Sequence, residues 1–449
     1  MAKNIITAID VGSSKICTII AAVSEGSDTL QVIGVYNSPS VGVKKGVIVN
    51  IDEATNAIAE SVAAAERMAG ITVSSVYATI GGKHITSLNS RGVVAASHDD
   101  ISEDDTFRAI ENARTISIPP SREILHIVPR EFLVDSQGGI KDPIGMSGSR
   151  LEVDTHIISA TTTALQNLVK CIQQNGLGLE DVVFVGWSSS HAVLTGTEKD
   201  LGVTLLDIGG DTTSICIFQE GAISYSGCVP LGGSSITSDL AIGLQMSLDD
   251  AEKLKSYLPK LIDASGPEEI VRDEDMAKPA ISRRRDSDQT KEDKKSKKKS
   301  TKKDKDLLNI SNLDIDGHDT VSKTMCQKVI EARLEEIFEI ISTQVGQAGF
   351  DASTAAGVVL TGGSSKLYGI KDIAQKSFGV PSRLGVPSGL SGMIEEISGP
   401  EFSACQGLIK HALVEDVEST TPGRSVRSSK FSIGDIFSKL TGWIKSLLP

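Results

Sequence analysis

The period of apolar and polar positions changes several times along the 449 residues, and those changes divide the chain. Residues 6–18, ITAIDVGSSKICT, read as a β-rich run, a glycine turn and a second β-rich run. Residues 204–216, TLLDIGGDTTSIC, spell the same hairpin one residue out of step. In residues 357–370, GVVLTGGSSKLYGI, an apolar strand enters Thr361, Gly362, Gly363 and Ser364, then a helix start. Residues 328–341, KVIEARLEEIFEII, carry helical spacing. The last stretch, residues 431–449, has two faces. Ile433, Ile436, Phe437, Leu440, Trp443, Ile444, Leu447 and Leu448 recur at spacings of three and four, while Asp435, Ser438, Lys439, Thr441 and Lys445 take the other side. Such a helix would be roughly 27 Å long, without the ~20 unbroken apolar residues of a membrane span. It fits either a groove on the protein's own core or a membrane surface.

A chain of this length exceeds one compact core, so two or more lobes are expected. Aromatics make up only 4% while glycines number 42, which suits many tight turns and close approaches. Cys17, Cys171, Cys216, Cys228, Cys326 and Cys405 are scattered without a CxxC pair, as expected of reduced thiols in a cytoplasmic protein. The start MAKNIITAIDVG enters a strand directly and offers no signal peptide. No zinc spacing, GxSxG elbow or Walker A sequence occurs.

The net charge of −13 is uneven, because residues 283–306 hold twelve Lys/Arg against six Asp/Glu. That run is +6 by itself, which leaves −19 (−13 minus +6) for the rest of the chain. An acidic body argues against a nucleic-acid partner. The basic run has too few apolar residues to fold alone and is expected to be a disordered loop, either solubilising or attracted to anionic lipid or an acidic partner.

The two hairpins suggest an internal duplication with Asp10 matching Asp207 and Gly12 matching Gly209. A bare glycine turn lets backbone N–H groups approach a phosphate, and an Asp at each strand end can hold a hydrated Mg²⁺. Ser13, Ser14, Thr212 and Thr213 add hydroxyls, and Lys15 adds a cation to the first turn only. Gly362 and Gly363 suit close approach to a base, a ribose or an α-phosphate. Such a turn alone is more often an ordinary hairpin; all three in this order point to a nucleotide.

IDVGSSK, LLDIGGDTT and VVLTGGSSKL resemble the phosphate-one, phosphate-two and adenosine motifs of the actin, Hsp70 and sugar-kinase superfamily. The resemblance implies an α/β fold of two lobes, each with a ribonuclease-H-like sheet. It implies ATP and Mg²⁺, the Mg²⁺ held at Asp10 and Asp207 through water. The nucleotide contacts it implies are Gly12, Ser13, Ser14, Lys15, Gly209, Gly210, Asp211, Thr212, Thr213, Gly362, Gly363 and Ser364. VPLGGSSITSDLAIGL with AEKLK is similar to the segment past the ribose, which adds Gly232, Gly233, Glu252 and Lys255.

SIPPSREILHIVPREFLVDSQGGIKDPIGMSGSRLEVDTHII, with YATIGGKHITSLNSRGVV before it, is similar to the inserted subdomain of the FtsA cell-division family. That similarity implies first-lobe parts at 1–83, 165–203 and 385–412, with the insert at 84–164. Second-lobe parts are implied at 204–244 and 356–384, with an upper subdomain at 245–355. A flexible linker at 413–430 and a membrane helix at 431–449 follow, with Lys439 and Lys445 facing anionic headgroups. The partners implied are copies of the chain in actin-like filaments, the membrane, the C-terminal tail of FtsZ and other division proteins at the division site. The FtsZ contact falls near helix 328–341, with Arg333 as a candidate and a solvated helix residue as its plain alternative.

Two positions depart from the superfamily. Asp211 stands where many relatives carry a third glycine, so it either faces Mg²⁺ or weakens nucleotide binding. His191 stands where actins carry a water-positioning glutamine, and it is also readable as a packed or capping histidine. ATP binding with at most weak hydrolysis is therefore expected. The competing functions are a pilus-assembly scaffold of the PilM type, and a sugar kinase or Hsp70-type ATPase.

Overall fold

The computed structural model of the chain describes residues 5–23, 30–264 and 306–420. Antiparallel hairpins need only a tight turn, and β1 (Ile5–Val11) and β2 (Lys15–Val23) form one, with Asp10 opposite Cys17. β3 (Leu30–Pro39) extends the meander. A short hairpin, β4 (Val43–Lys44) and β5 (Val47–Ile48), turns through Lys45 and Gly46, both at positive φ.

Helix α1 (Ile51–Ala69) begins at Asn50, whose side chain accepts from the Asp52 and Glu53 amides. It ends where Gly70 takes a left-handed φ of 68°. Its buried face, including Ala54, Ile58, Val62 and Ala65, repeats every three or four residues. The chain then returns as β6 (Ser75–Ile80), parallel to β1.

Next it leaves this sheet to build another. β7 (Thr86–Ala95), α2 (Glu103–Arg114), β8 (Arg122–Val134), β9 (Gln137–Ile140) and β10 (Arg150–Thr161) form a four-stranded sheet of order β7-β10-β8-β9 with α2 against it. α2 starts on a capping box of Ser102 and Asp105. α3 (Thr162–Gln174) and β11 (Gly178–Phe184) rejoin the first sheet beside β6.

A second sheet repeats the plan of the first. β12 (Val203–Ile208), β13 (Thr213–Gln219) and β14 (Ala222–Val229) form an antiparallel meander, and β17 (Val358–Thr361) pairs parallel to β12 as β6 does to β1. β18 (Ser382–Leu384) completes this sheet, and β19 (Ser391–Gly392) pairs with β3 in the first. The duplicated hairpins are thus a duplicated topology.

The first sheet is covered on both faces, so its strands carry unbroken apolar runs rather than alternation. Ile9, Ile16 and Ile20 pack with Ile58 and Leu165 on one face. Ala8, Ile19 and Val35 pack with Leu408 and Ile409 on the other. The helix bearing Leu408, Ser403–Thr420, lies against α4 (Val185–Val193), where Ser188 Oγ donates to the Ala404 carbonyl at 2.6 Å. That helix continues through 413–420, the first part of the stretch read from sequence as a flexible linker.

By compactness the described residues fall into two units, one drawn from 5–233, 336–365 and 371–420, the other from 234–264, 306–335 and 366–370. Both central sheets and the inserted sheet belong to the larger unit. The smaller holds most of α6 (Gly233–Leu244), α7 (Leu248–Ala264), the hairpin β15 (Leu307–Asn309) and β16 (Thr320–Ser322), and the start of α8 (Lys323–Gln347). The six cysteines are all buried free thiols. Among the described residues no helix is long and apolar enough to cross a membrane. Residues 283–305 of the basic run and the whole of 421–449, with all ten candidate membrane residues from Ile433 to Leu448, lie outside the described residues.

Candidate functional site

The two duplicated turns close in the same way. The Gly12 amide donates to the Lys15 carbonyl at 3.1 Å, and the Gly209 amide donates to the Thr212 carbonyl at 2.8 Å. A Cβ on Gly12 would stand 2.8 Å from the Lys15 carbonyl oxygen, so the tightness of this turn demands glycine.

The third turn joins the second. Ser364 Oγ and the Gly233 amide both donate to the Gly209 carbonyl, at 2.8 and 3.0 Å. Gly232 packs so closely on Gly209 and Gly210 that a Cβ would meet their carbonyl oxygens at 2.5–2.7 Å. Gly362 takes a φ of 84°, and any side chain there would press on the Asp207 carboxylate. Gly363 has open space around it, since a Cβ there would meet nothing nearer than Glu401 Cβ at 3.7 Å.

Asp207 is buried and Asp10 half-buried, each near the end of its strand. Thr79 Oγ1 donates to Asp10 at 2.6 Å, and Ser189 of α4 donates to Asp207. Burial raises the pKa of Asp10 above the usual carboxylate range, against the opposing effects of the Thr79 bond and Lys15. Burial, reinforced by the charge of Asp10, raises Asp207 to about 7, against Ser189 and Lys15. Lys15 Nζ is buried without a hydrogen-bond partner among the described residues, 4.4 Å from the centre of the Phe402 ring. An ammonium and two carboxylates held away from water form a donor set that an anion and a divalent cation would jointly satisfy.

The hydroxyls divide by role. Ser13 Oγ accepts from the Gly46 amide at 2.9 Å, and Asp211 accepts from the Lys45 amide at 3.1 Å, so the β4–β5 hairpin spans both turns. Thr213 Oγ1 donates to the Leu231 carbonyl at 2.9 Å and serves the turn itself. Ser14 is exposed and Thr212 half-buried. Glu252 and Lys255 stand in the smaller unit, bonded to one another at 2.6 Å and both to Thr237. Arg333, in the same unit, makes a bidentate pair with Asp239 at 2.5 and 2.8 Å. Thr79, Ser189 and the β4–β5 hairpin were missed in the sequence. Their only signals are a threonine ending the strand SVYATI, three serines in a row at 188–190 and the KKG spelling of a two-residue turn.

The His191 ring packs against Trp187 and His411, with centroids 5.5 and 5.6 Å away. Burial, then the charge of Lys199, holds His191 neutral well below the ordinary histidine range. Burial also lowers His126 and His84 to about 4 and His156 to about 3. A base whose folded pKa is depressed lends stability that is full above its unfolded pKa near 6.5 and is lost as pH falls toward 4. Asp207 acts in the opposite sense, because the folded form alone takes up its proton between about 7 and 4. The denaturant midpoint of the nucleotide-free protein should therefore fall from pH 7.5 to pH 5, by up to about 1.4 kcal/mol per pH unit for each histidine. Asp207→Asn should steepen that fall. Equal midpoints at the two pH values would contradict this assignment of neutral histidines.

Comparisons with known proteins bear on the same elements. Residues 82–159 match the description "SHS2 domain inserted in FTSA", and residues 204–407 match "Cell division protein FtsA". A Pseudomonas aeruginosa protein named cell division protein FtsA is 31% identical, with 98% of each chain covered. The chain belongs to the FtsA cell-division family. A Neisseria meningitidis FtsA is 34% identical over 99% of each chain. Among solved structures, a PilM–PilN type IV pilus biogenesis complex is similar at TM-score 0.55 and 14% identity, covering 91% of this chain and 98% of that one. MreB5 of Spiroplasma citri is similar at TM-score 0.50 and 12% identity, covering 94% of this chain and all of that one. The fold is thus actin-like, and the β7–β10 sheet is the SHS2 insert of the FtsA family.

Proposed function

We propose that the chain binds ATP with Mg²⁺ at the paired turns, assembles into actin-like filaments on the cytoplasmic membrane, and tethers FtsZ filaments there as part of the division ring. The observation that carries the nucleotide assignment is the buried Lys15 ammonium, without a hydrogen-bond partner among the described residues, beside Asp10 and Asp207 and next to matched glycine turns. The similar MreB5 of Spiroplasma citri was solved bound to AMPPNP, which supports this reading. In this proposal the amides of Gly12, Ser13, Ser14, Gly209, Gly210 and Asp211 meet phosphates, with the hydroxyls of Ser14 and Thr212. Lys15 supplies the cation, and Gly232, Gly233, Gly362, Gly363 and Ser364 admit the nucleoside. Glu252 and Lys255 are included by family resemblance alone. Asp10 and Asp207 would hold Mg²⁺ through water, and the ion would neutralise phosphate charge.

Hydrolysis is expected to be slow. His191, the superfamily's water-positioning place, is a packed neutral ring. Membrane attachment is assigned to residues 431–449, outside the described residues. The FtsZ tail is assigned to the neighbourhood of Arg333, whose guanidinium Asp239 holds in one orientation.

The experiment is recruitment of fluorescent FtsZ filaments to vesicles coated with the full chain and Mg·ATP. Filaments should bind the coated vesicles, and removal of the FtsZ C-terminal tail should abolish binding. Arg333→Ala should weaken it several-fold with ATP affinity unchanged. Equal recruitment of tail-less FtsZ would refute the tail assignment.

A further inference from the structure

Behind α4, on the larger unit, lies a cavity of about 350 Å³. Its wall comes from three places: β8 of the insert, α4 with α5 (Gly196–Leu201), and the turn between β13 and β14. Apolar side chains, among them Phe132, Trp187 and Phe218, supply its body. Its charged groups are mostly basic. Arg130 and Lys199 line the interior, while Lys141 and Glu220 are exposed at its edge, Lys141 reaching Asp200 at 3.5 Å.

Three buried nitrogen atoms of this wall have no hydrogen-bond partner among the described residues: Arg130 Nε, Trp187 Nε1 and His191 Nε2. Folded proteins seldom leave such groups unmatched, because a desolvated donor forfeits its bonds to water. Arg130 spends one of its other nitrogens on Ser224 Oγ at 3.0 Å, a neutral acceptor. Lys199 Nζ sits 5.0 Å from the Phe218 ring centre and has no carboxylate partner among the described residues. Its pKa is lowered, first by burial, with Lys410 adding to the effect and Cys216 opposing it. Two cations and an indole N–H therefore line an apolar hollow, and among the described residues neither cation is bonded to a carboxylate.

We propose that this cavity is a second ligand site, separate from the glycine turns, that takes a small amphipathic anion: a phosphate or carboxylate group on a flat apolar body. The anion would pair with Arg130 and Lys199 and accept from Trp187 Nε1, while the apolar body lies among Phe132, Trp187 and Phe218.

The chain has two tryptophans, so Trp443→Phe leaves Trp187 as its sole indole reporter. In that background, phenyl phosphate and benzoate should each produce a saturable change in Trp187 fluorescence, and the tighter of the two identifies the headgroup. Arg130→Met and Lys199→Met should each weaken that binding by about tenfold or more while ATP affinity stays unchanged. Lys199→Met removes a half-buried unpaired charge and so keeps the fold, which leaves the test intact if Arg130→Met proves unstable. Asp207→Asn should lose ATP and keep phenyl phosphate, which separates this site from the nucleotide proposal. No saturable signal from either anion, equal binding by neutral benzyl alcohol, or unchanged affinity in both cation variants would each overturn the assignment.

Discussion

Cutting the chain after Ser429 is expected to drop its sedimentation with anionic vesicles to background, with ATP binding intact. Residues 431–449 space eight apolar side chains three and four apart, a pattern that as a helix would set them on one face with Lys439 and Lys445 on the other. If this tail is the anchor, the physics of a single interfacial helix sets its strength. One interfacial helix binds reversibly, comparable to a single acyl chain at about 10⁴ per molar. Filaments linking many copies multiply that attachment through high effective concentration. Trp443→Glu puts a charge in the middle of the apolar face and should release the whole assembly. The pair Lys439→Glu and Lys445→Glu should act more gently, with an effect that shrinks as salt rises. If the shortened chain pelleted as well as the intact one, the basic run at 283–306 would become the candidate anchor instead.

The second large effect belongs to Lys15. Lys15→Met should lower ATP affinity by about 100-fold, the loss of one charge-assisted contact to phosphate worth up to about 3 kcal/mol. The same change should move the stability of the nucleotide-free protein far less, because the ammonium it removes has no hydrogen bond among the described residues, and the charge it withdraws from Asp10 and Asp207 can be met by their protonation. A structural lysine would behave in the opposite way, losing stability first. Calorimetric titration with Mg·ATP, beside thermal unfolding of both proteins, reads the two quantities separately. Unchanged affinity would remove Lys15 from the site.

The part of this site that was legible in sequence is the part written locally. An Asp, one apolar residue and a glycine turn between strands fix a hairpin within about a dozen residues, and both copies adopt the same closure from Gly12 to Lys15 and from Gly209 to Thr212. The apolar strand before Thr361 is also written locally, and the structure adds it to β12 as the parallel β17. What holds the aspartates was not legible. Thr79 and Ser189 reach Asp10 and Asp207 from a different strand and from a helix, and no local spacing announces a partner that the fold delivers. Asp211 shows the same limit. Sequence left it between facing Mg²⁺ and weakening the nucleotide, while the structure gives its carboxylate to the Lys45 amide. Compactness is a third case. The two lobes that the hairpins suggest have a central sheet each, and what no local spacing shows is that α4 packs on strands of both.

Crystals of the full chain grown with Mg²⁺ and a non-hydrolysable ATP analogue would test the central claim most directly. Electron density for the β- and γ-phosphates should lie against the amides of Gly12–Ser14 and Gly209–Asp211, with Lys15 Nζ in contact and one hydrated ion beside Asp10 and Asp207. Analogue bound elsewhere, or crystals from saturating analogue with Lys15 still unpartnered and both turns bare, would contradict it.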